Sequence, residues 1–358
     1  MGDRIGILIY SGANLFSNGL VQNAYFMLRC FEKCGFAVDF LCQNKDPKPF
    51  EHGGLELKYI GESSFDFKQY RSIITGCAFL SRQEYATCQR LGIQTVDFIC
   101  GNHYNTDILC FINGANIGSS FHACDKTADC GWTIPSYAYT IDYMETVRKY
   151  PIHVVPHLWS PELVLTRAKI FHNVPKERLF YTQKHRSKLN IIILEPNLNF
   201  QKAALDPLVA AELLWKSHPT RIESVIISNV HKPLQKQFIS TLAAPIKIID
   251  RQSIEKILID YNPMDAMPIF VCHQIYNTLN YLYYELLYFG YPLVHNSPDL
   301  DGCGYKYDTL EECVKQILYA DEHHIKELRS YQENAKTFLE KINPENPEVC
   351  SLFEQMLT

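Results

Sequence analysis

No stretch of the 358-residue chain approaches the ~18 consecutive apolar residues of a membrane-spanning helix, so no spanning helix is expected. The N-terminal MGDRIGILIYSG has only a short apolar run, residues 5–10. Asp3 stands ahead of it, and a basic leader and small-residue cleavage site are both missing. It reads as a first strand, not a signal. Gly6 stands where a myristoylation signal beginning at Gly2 would need Ser or Thr. Positive charge is not in excess either. A formal net charge of −5 and a pI near 6.2 provide no electrostatic footprint for a phosphate backbone, which argues against nucleic acid as partner.

Cysteine is plentiful, but the CxxC pair is absent. Thirteen scattered thiols, an odd number, point to a reducing, cytoplasmic compartment in which they act as small core residues. Cys30 and Cys34 lie four apart on an expected helix. His122, Cys124, Asp125 and Cys130 match no zinc spacing and read as loop residues, so no metal site is expected. A dinucleotide fingerprint is missing too. Gly12 and Gly19 are too far apart, and no acidic residue follows the second strand where one is needed.

What is present is an alternation of strands and helices long enough for two domains. Residues 4–10 (RIGILIY) form a strand and SGANLFSNG a loop. A helix follows with Phe16, Leu20, Met27 and Phe31 at helical spacing, Gly35 stops it, and 37–42 (AVDFLC) is the next strand. The polar loop lies at the carboxyl end of the first strand, where open α/β sheets take ligands. Asn14, Asn18, Gly19, Gln22 and Asn23 there read equally well as a hydroxyl- or phosphate-facing surface and as a solvated loop with Asn as helix cap.

Further strands are expected at 72–75 and 95–100, with a helix at 81–91 opened by a Ser81/Glu84 capping box. His103, Tyr104 and Asp107 follow at a strand's carboxyl end. A histidine there can take a proton from a hydroxyl; the alternative is a polar surface residue. Residues 113–131 read as a long loop, Asp142 and Glu145 lie on a helix, 152–155 is a strand, and the prolines at 156–165 mark a hinge.

The second half repeats the alternation, with strands at 188–194, 224–228, 246–249 and 268–272. Lys202 lies in a strand-to-helix loop. Asp206 before Pro207 predicts a helix start, and the tail from residue 321 is helical until NPENPE, residues 343–348. Residues 271–298 (VCHQIYNTLNYLYYELLYFGYPLVHNSP) are the most informative stretch. They predict a strand end, a loop, a helix starting near Asn277 or Thr278, and a strand closing on His295, Asn296 and Ser297. Leu282, Leu286 and Phe289 form the expected buried stripe. Glu285 beside that stripe either accepts hydrogen bonds from a vicinal diol or is an exposed helix carboxylate.

From Glu285, four residues lead to Gly290 and one more to Pro292, then Leu293 and Val294. This pattern resembles the glutamate, glycine, proline motif of GT-B glycosyltransferases. With NGLVQNA (18–24), GNHY (101–104), VPHLWSP (155–161) and EPN followed by Lys202, the chain more specifically resembles a bacterial and viral GT-B-like family described as a domain of unknown function.

The resemblance implies an α/β fold of two Rossmann-like domains facing a central cleft. Residues 1–160 form the acceptor-side domain, 161–341 the nucleotide-sugar domain, and 342–358 a helix crossing back to the first. It implies that Lys202 contacts donor phosphate and that Glu285 binds the ribose. His273, Tyr276, Asn277, Thr278, Leu279, Asn280 and Asn296 surround the sugar and diphosphate. Asn14, Asn18, Gly19, Gln22 and Tyr104 stand on the acceptor side. The arginine usual before the lysine is missing, with Asn197, Asn199 and Gln201 in that loop instead.

The implied activity is metal-independent transfer of a sugar from a nucleotide-diphosphate sugar to a glycan-type hydroxyl. The nucleotide sugar is a substrate, and no tightly bound cofactor is expected. An inverting reaction needs a base, for which His103, Asp107 and Asp142 are candidates. A nucleotide-sugar epimerase and a non-catalytic binding protein are the alternatives. A DNA glucosyltransferase is a narrower one, weakened by the acidic pI.

Overall fold

The computed structural model describes residues 3–10, 14–16, 18–45, 55–76, 78–114, 128–182, 184, 187–197, 199–278, 280–300 and 302–357. The chain divides into two compact units, Met1–Ser160 with Lys341–Thr358, and Pro161–Glu340.

The first unit is built on a seven-stranded sheet of order β3-β2-β1-β4-β5-β6-β7. The strands are β1 (Arg4–Leu8), β2 (Ala37–Cys42), β3 (Leu57–Tyr59), β4 (Tyr70–Thr75), β5 (Gln94–Ile99), β6 (Cys130–Thr133) and β7 (Ile152–Val154). Every pairing is parallel. Parallel strands are covered on both faces, which is why β1 reads as a near-continuous apolar run after Arg4. Helices α1 (Gly19–Lys33), α2 (Arg82–Leu91), α3 (His103–Asn113) and α4 (Ile141–Arg148) connect them. The capping box on α2 forms as expected, with the Glu84 N–H donating to Ser81 Oγ and the Ser81 N–H to the Glu84 carboxylate.

Helix α1 starts later than the apolar spacing suggests, because Asn18 caps it. Its buried face is Val21, Ala24, Met27, Leu28 and Phe31; Leu20 is exposed and Phe16 precedes the helix. Strands β3 and β6 are too short to carry an alternating signal. Of the loop expected at 113–131, Asn113 ends α3 and Cys130 and Gly131 belong to β6, while 115–127 lie outside the described residues.

The second unit holds a six-stranded parallel sheet of order β10-β9-β8-β11-β12-β13. The strands are β8 (Lys188–Ile193), β9 (Ile222–Ile227), β10 (Ile246–Ile248), β11 (Ala266–Cys272), β12 (Leu293–His295) and β13 (Tyr305–Lys306). Helices α5 (Glu162–Arg167), α6 (Leu205–Ser217), α7 (Pro233–Ile239), α8 (Ile254–Tyr261), α9 (Tyr281–Phe289) and α10 (Leu310–Glu340) belong to it. After α10 the chain rejoins the first unit as α11 (Pro347–Gln355). No helix of the described residues is long and apolar enough to cross a membrane.

Three expectations need correction. Helix α6 is capped by Ala204, not Asp206; Pro207 falls inside the first turn, where its missing N–H costs nothing, and Asp206 there favours the helix dipole. Helix α9 begins at Tyr281 because Asn280, with extended backbone, accepts the Leu282 N–H at 3.2 Å; Asn277 and Thr278 therefore lie in the loop before it. Its buried residues are Tyr283, Tyr284, Leu286, Leu287 and Phe289, with Leu282 only half-buried. A helix that is apolar on most sides hides its stripe. The glycine of the motif is structural: Gly290, at φ 76°, is the left-handed cap of α9, and a Cβ there would meet Gln332 at 2.6 Å.

In both sheets the strand order reverses once, between β1 and β4 and between β8 and β11. Ligands of open α/β sheets bind beyond the strand ends at such a reversal.

Candidate functional site

The β8–β11 reversal in the second unit gathers most of the residues expected at a donor site. After β8 the chain turns through Glu195, which is fully buried, and closes a loop back on itself. Asn197 holds this loop. Its backbone is left-handed (φ 54°), its N–H donates to the Lys202 carbonyl at 3.2 Å, and its Oδ1 accepts the Ala204 N–H at 2.7 Å. Asparagine is one of the few side-chain-bearing residues that adopt this conformation readily. From the adjacent strand, Asn229, also left-handed at φ 60°, donates its amide to the Glu195 carbonyl at 3.0 Å.

The loop after β11 is tied to this one, since the Ile275 N–H donates to the Gln201 carbonyl at 2.8 Å. Asn296, just after β12, accepts the Gln274 N–H at 2.9 Å and donates to its carbonyl at 2.7 Å. The Gln274 side chain in turn accepts the Asn277 N–H at 2.8 Å. The ends of β8, β11 and β12 thus form one hydrogen-bonded platform.

Glu195 lies at its centre. One carboxylate oxygen accepts the His273 N–H at 3.1 Å. Burial pushes this carboxyl up to about 7, opposed by the Lys202 ammonium and the His273 amide. Burial pulls Lys202 down to about 8, opposed by Glu195. The sequence reading passed over Glu195 as a site residue. Its signal was an acidic residue placed directly after an apolar strand.

His273 is oriented by Tyr307. The tyrosine donates its single proton to the Cys272 carbonyl at 3.0 Å, so the His273 Nδ1–H donates to the tyrosine oxygen at 3.0 Å. The Nε2 lone pair is left toward Asp206, 3.7 Å away. Burial lowers the His273 pKa, with Asp206 acting the other way.

Glu285 is neither an exposed carboxylate nor an isolated one. Its side chain is 12% exposed and pairs with Arg167 of α5 at 3.4 Å, while Arg167 Nε donates to the fully buried Glu255 of α8. Burial pushes the Glu285 carboxyl up to about 7, Arg167 opposes this, and Glu255 adds to it. Arg167 thus bridges two carboxylates, Glu255 of α8 and Glu285 of α9.

The remaining expected residues divide by role. Asn280 is spent as helix cap, Asn296 as a strut, and Thr278 donates to Asp299. Asn277 reaches Gln201 at 3.5 Å. Tyr276 is 65% exposed with a left-handed backbone (φ 52°), a conformation that costs a non-glycine residue ~1–2 kcal/mol. Leu279 lies outside the described residues.

In the first unit, the end of β5 leads into α3, capped by Asn102. His103 Nδ1 lies 2.9 Å from Arg148 Nη2, and Arg148 Nη1 is 2.8 Å from Asp97. A guanidinium only donates, so Nδ1 is the acceptor and the neutral ring carries its proton on Nε2. Burial, then Arg148, lowers the His103 pKa to about 4. The expectation of a proton-accepting histidine is corrected accordingly: the ring offers an N–H, and its basic nitrogen is occupied.

Asp107, four residues along the same helix, is buried and accepts the Tyr143 hydroxyl at 2.9 Å; the Tyr143 ring meets Tyr104 at 4.8 Å. Asp142 is apart from these, exposed in the first turn of α4. Asn18 Oδ1 accepts the Leu20 N–H at 2.9 Å and Asn14 Oδ1 the Phe16 N–H at 2.8 Å, so both serve as local caps. Gly19 opens α1 and Gln22 is buried on it. Of the suggested cluster around residues 122–130, His122, Cys124 and Asp125 lie outside the described residues, and Cys130 is buried in β6.

Two Rossmann-like units with these strand orders define the GT-B fold of glycosyltransferases, and solved structures agree. An α,α-trehalose 6-phosphate synthase from Burkholderia multivorans matches with TM-score 0.62 at 12% identity, over 100% of this chain and 98% of that one. An α-glucosyltransferase in complex with UDP and a DNA containing an HMU base matches with TM-score 0.59 at 12% identity, over 100% and 99%. WaaG, a glycosyltransferase involved in lipopolysaccharide biosynthesis, matches with TM-score 0.53 at 13% identity, over 99% and 98%. The chain belongs to the family described as Protein of unknown function (DUF2827), whose family model matches residues 4–357. No curated protein matches it.

Proposed function

We propose that this protein is a glycosyltransferase that moves a sugar from a nucleoside-diphosphate donor to a hydroxyl of a glycan-type acceptor, with no divalent cation at the reacting centre. The observation that carries this reading is the convergence of Glu195, Lys202 and His273 at the β8–β11 reversal, on a platform built from three strand ends. Residues 161–341 hold the donor, and residues 1–160 serve the acceptor.

In the reaction the bond from the anomeric carbon to the diphosphate breaks, and the acceptor oxygen bonds to that carbon. Negative charge grows on the departing diphosphate. Lys202 meets it, and the positive end of the α9 dipole adds to the stabilisation. His273 Nε2 accepts a hydrogen bond from a hydroxyl of the sugar, and the Asn277 side chain contacts the sugar and diphosphate. Glu285 accepts hydrogen bonds from the ribose diol while Arg167 favours its ionised form. The exposed ring of Tyr276 supplies a stacking face for the base.

In the first unit, His103 donates from Nε2 to a sugar or acceptor hydroxyl. Asp107 and Asp142 are the carboxylates that can receive the acceptor proton in an inverting reaction. Tyr104, Gln22 and the Asn14–Asn18–Gly19 turn line the acceptor side. UDP, held by one of the similar structures, is the first donor nucleotide to try.

The test is incubation with UDP-, GDP- and dTDP-sugars, with and without glycan acceptors, reading free nucleotide. Acceptor-stimulated release that Lys202→Ala abolishes supports transfer. Interconversion of sugars without release would establish an epimerase, and saturable binding without turnover a binding protein. With a net charge of −5, DNA is the poorer acceptor, and salt-sensitive DNA binding would reverse that preference.

A further inference from the structure

Within the first unit, three thiols that are distant in sequence meet where α1 and α11 pack. Cys30 and Cys34 stand four apart on α1 and share a face, and Cys350 approaches from α11. Their sulfur atoms all lie within 4.8 Å of one another, with Cys30 and Cys350 3.9 Å apart. That is far longer than the ~2.05 Å of a disulfide. It matches the roughly 3.8 Å between two thiolates bound tetrahedrally to one zinc ion with Zn–S bonds of ~2.3 Å.

Three sulfurs leave the fourth position of a tetrahedral site to solvent, on the side where an exposed carboxylate stands nearby. Glu354 follows Cys350 by four residues, as Cys34 follows Cys30, and its carboxylate acts electrostatically on Cys34. Cys30 and Cys350 are buried, whereas Cys34 is only half-buried and opens the cluster to solvent. The two helices are held together independently by aromatic packing of Phe31, Phe353 and Trp132, with centroids 5.8–6.4 Å apart. The thiols are therefore brought together without help from an ion.

We propose that Cys30, Cys34 and Cys350 bind one thiophilic d10 cation, zinc in the first instance, with water in the fourth position, as a clasp fastening the C-terminal helix to α1. Three S–H bonds ionise as three metal–sulfur bonds form, and the three protons go to solvent, with no oxidant involved. The site is remote in kind from the proposed chemistry and does not depend on it. Sequence spacing conceals it, because Cys34 and Cys350 are separated by 316 positions.

The experiment uses the reduced full-length chain, stripped with chelator and titrated with Co2+ as the spectroscopic probe. The expected result is sulfur-to-cobalt charge-transfer absorption saturating at one ion per chain, bleached by Zn2+, together with a higher Tm in Zn2+. Cys34→Ser, at the half-exposed position, and Cys350→Ser should lose the absorption and the Tm shift while keeping the far-ultraviolet circular dichroism of the fold. Cys88→Ala, in a buried thiol elsewhere, should retain both. The proposal is overturned by an absence of charge-transfer absorption in the wild type, by absorption that survives Cys34→Ser and Cys350→Ser, or by a Cys30–Cys350 disulfide in peptide maps of protein that takes up no cobalt.

Discussion

The backbone N–H of His273 donates to the Glu195 carboxylate at 3.1 Å, joining the carboxyl ends of β8 and β11 through a fully buried acid. Glu195 in turn raises the pKa of Lys202, which burial alone would depress further than its value of about 8. Donor binding through the Lys202 ammonium should therefore weaken as pH rises through about 8. In Glu195→Gln the supporting charge is gone, so the midpoint of that loss should move to lower pH. Calorimetric titration of UDP between pH 6 and 10 checks this, and an unmoved midpoint would separate the two residues.

Glu285→Gln should weaken donor binding by about 1–3 kcal/mol, the cost of disturbing a hydrogen bond to a charged, mostly buried group. Unchanged UDP affinity would remove Glu285 from the site.

Arg167→Ala strands two carboxylates, Glu255 and Glu285, in low-dielectric surroundings. Breaking a buried ion pair by removing one partner costs about 3–5 kcal/mol. Urea denaturation should show that loss, diminished in an Arg167→Ala/Glu255→Gln double variant. Strict additivity of the two changes would argue against coupling.

His103 should stay neutral, with its proton on Nε2, down to about pH 4. Because the folded value lies below the unfolded one of about 6.5, the unfolded chain binds the extra proton first. The stability associated with the neutral ring is complete above that unfolded value and is lost as pH falls toward about 4. Imidazole 15N shifts report the tautomer directly. A ring titrating near 6.5 would contradict the Arg148 contact.

Asn197→Ala loses the left-handed backbone preference together with the side-chain bonds to Ala204, Ser228 and Asn229, whereas Asn197→Gly loses only the bonds. The alanine variant should be less stable than the glycine variant by about 1 kcal/mol. Equal stabilities would show that the φ of 54° is not a constraint in solution.

Much of the architecture was legible because parallel strands covered on both faces must be apolar along their length. β1, β8 and β11 announce themselves in that way. Three-residue strands such as β3 carry too few residues to show a pattern, and the true start of α9 depended on whether Asn280 or an earlier residue closed the first turn. Among the candidate donor residues, Glu285 stood out by its spacing to Gly290 and Pro292, and Lys202 by the family resemblance. Arg167 did not, since nothing local links it to a carboxylate 118 residues away.

By itself the sequence determined the alternation of strands and helices, the two-unit organisation and the residue types available at the strand ends, because periodicity and turn chemistry act over short distances. Tertiary structure decided how those residues are used. Burial keeps His103 neutral and a neighbouring guanidinium occupies its basic nitrogen. Packing α1 against α11 brings three scattered thiols within 4.8 Å. Charge state and clustering depend on neighbours distant along the chain, and only folding supplies those neighbours.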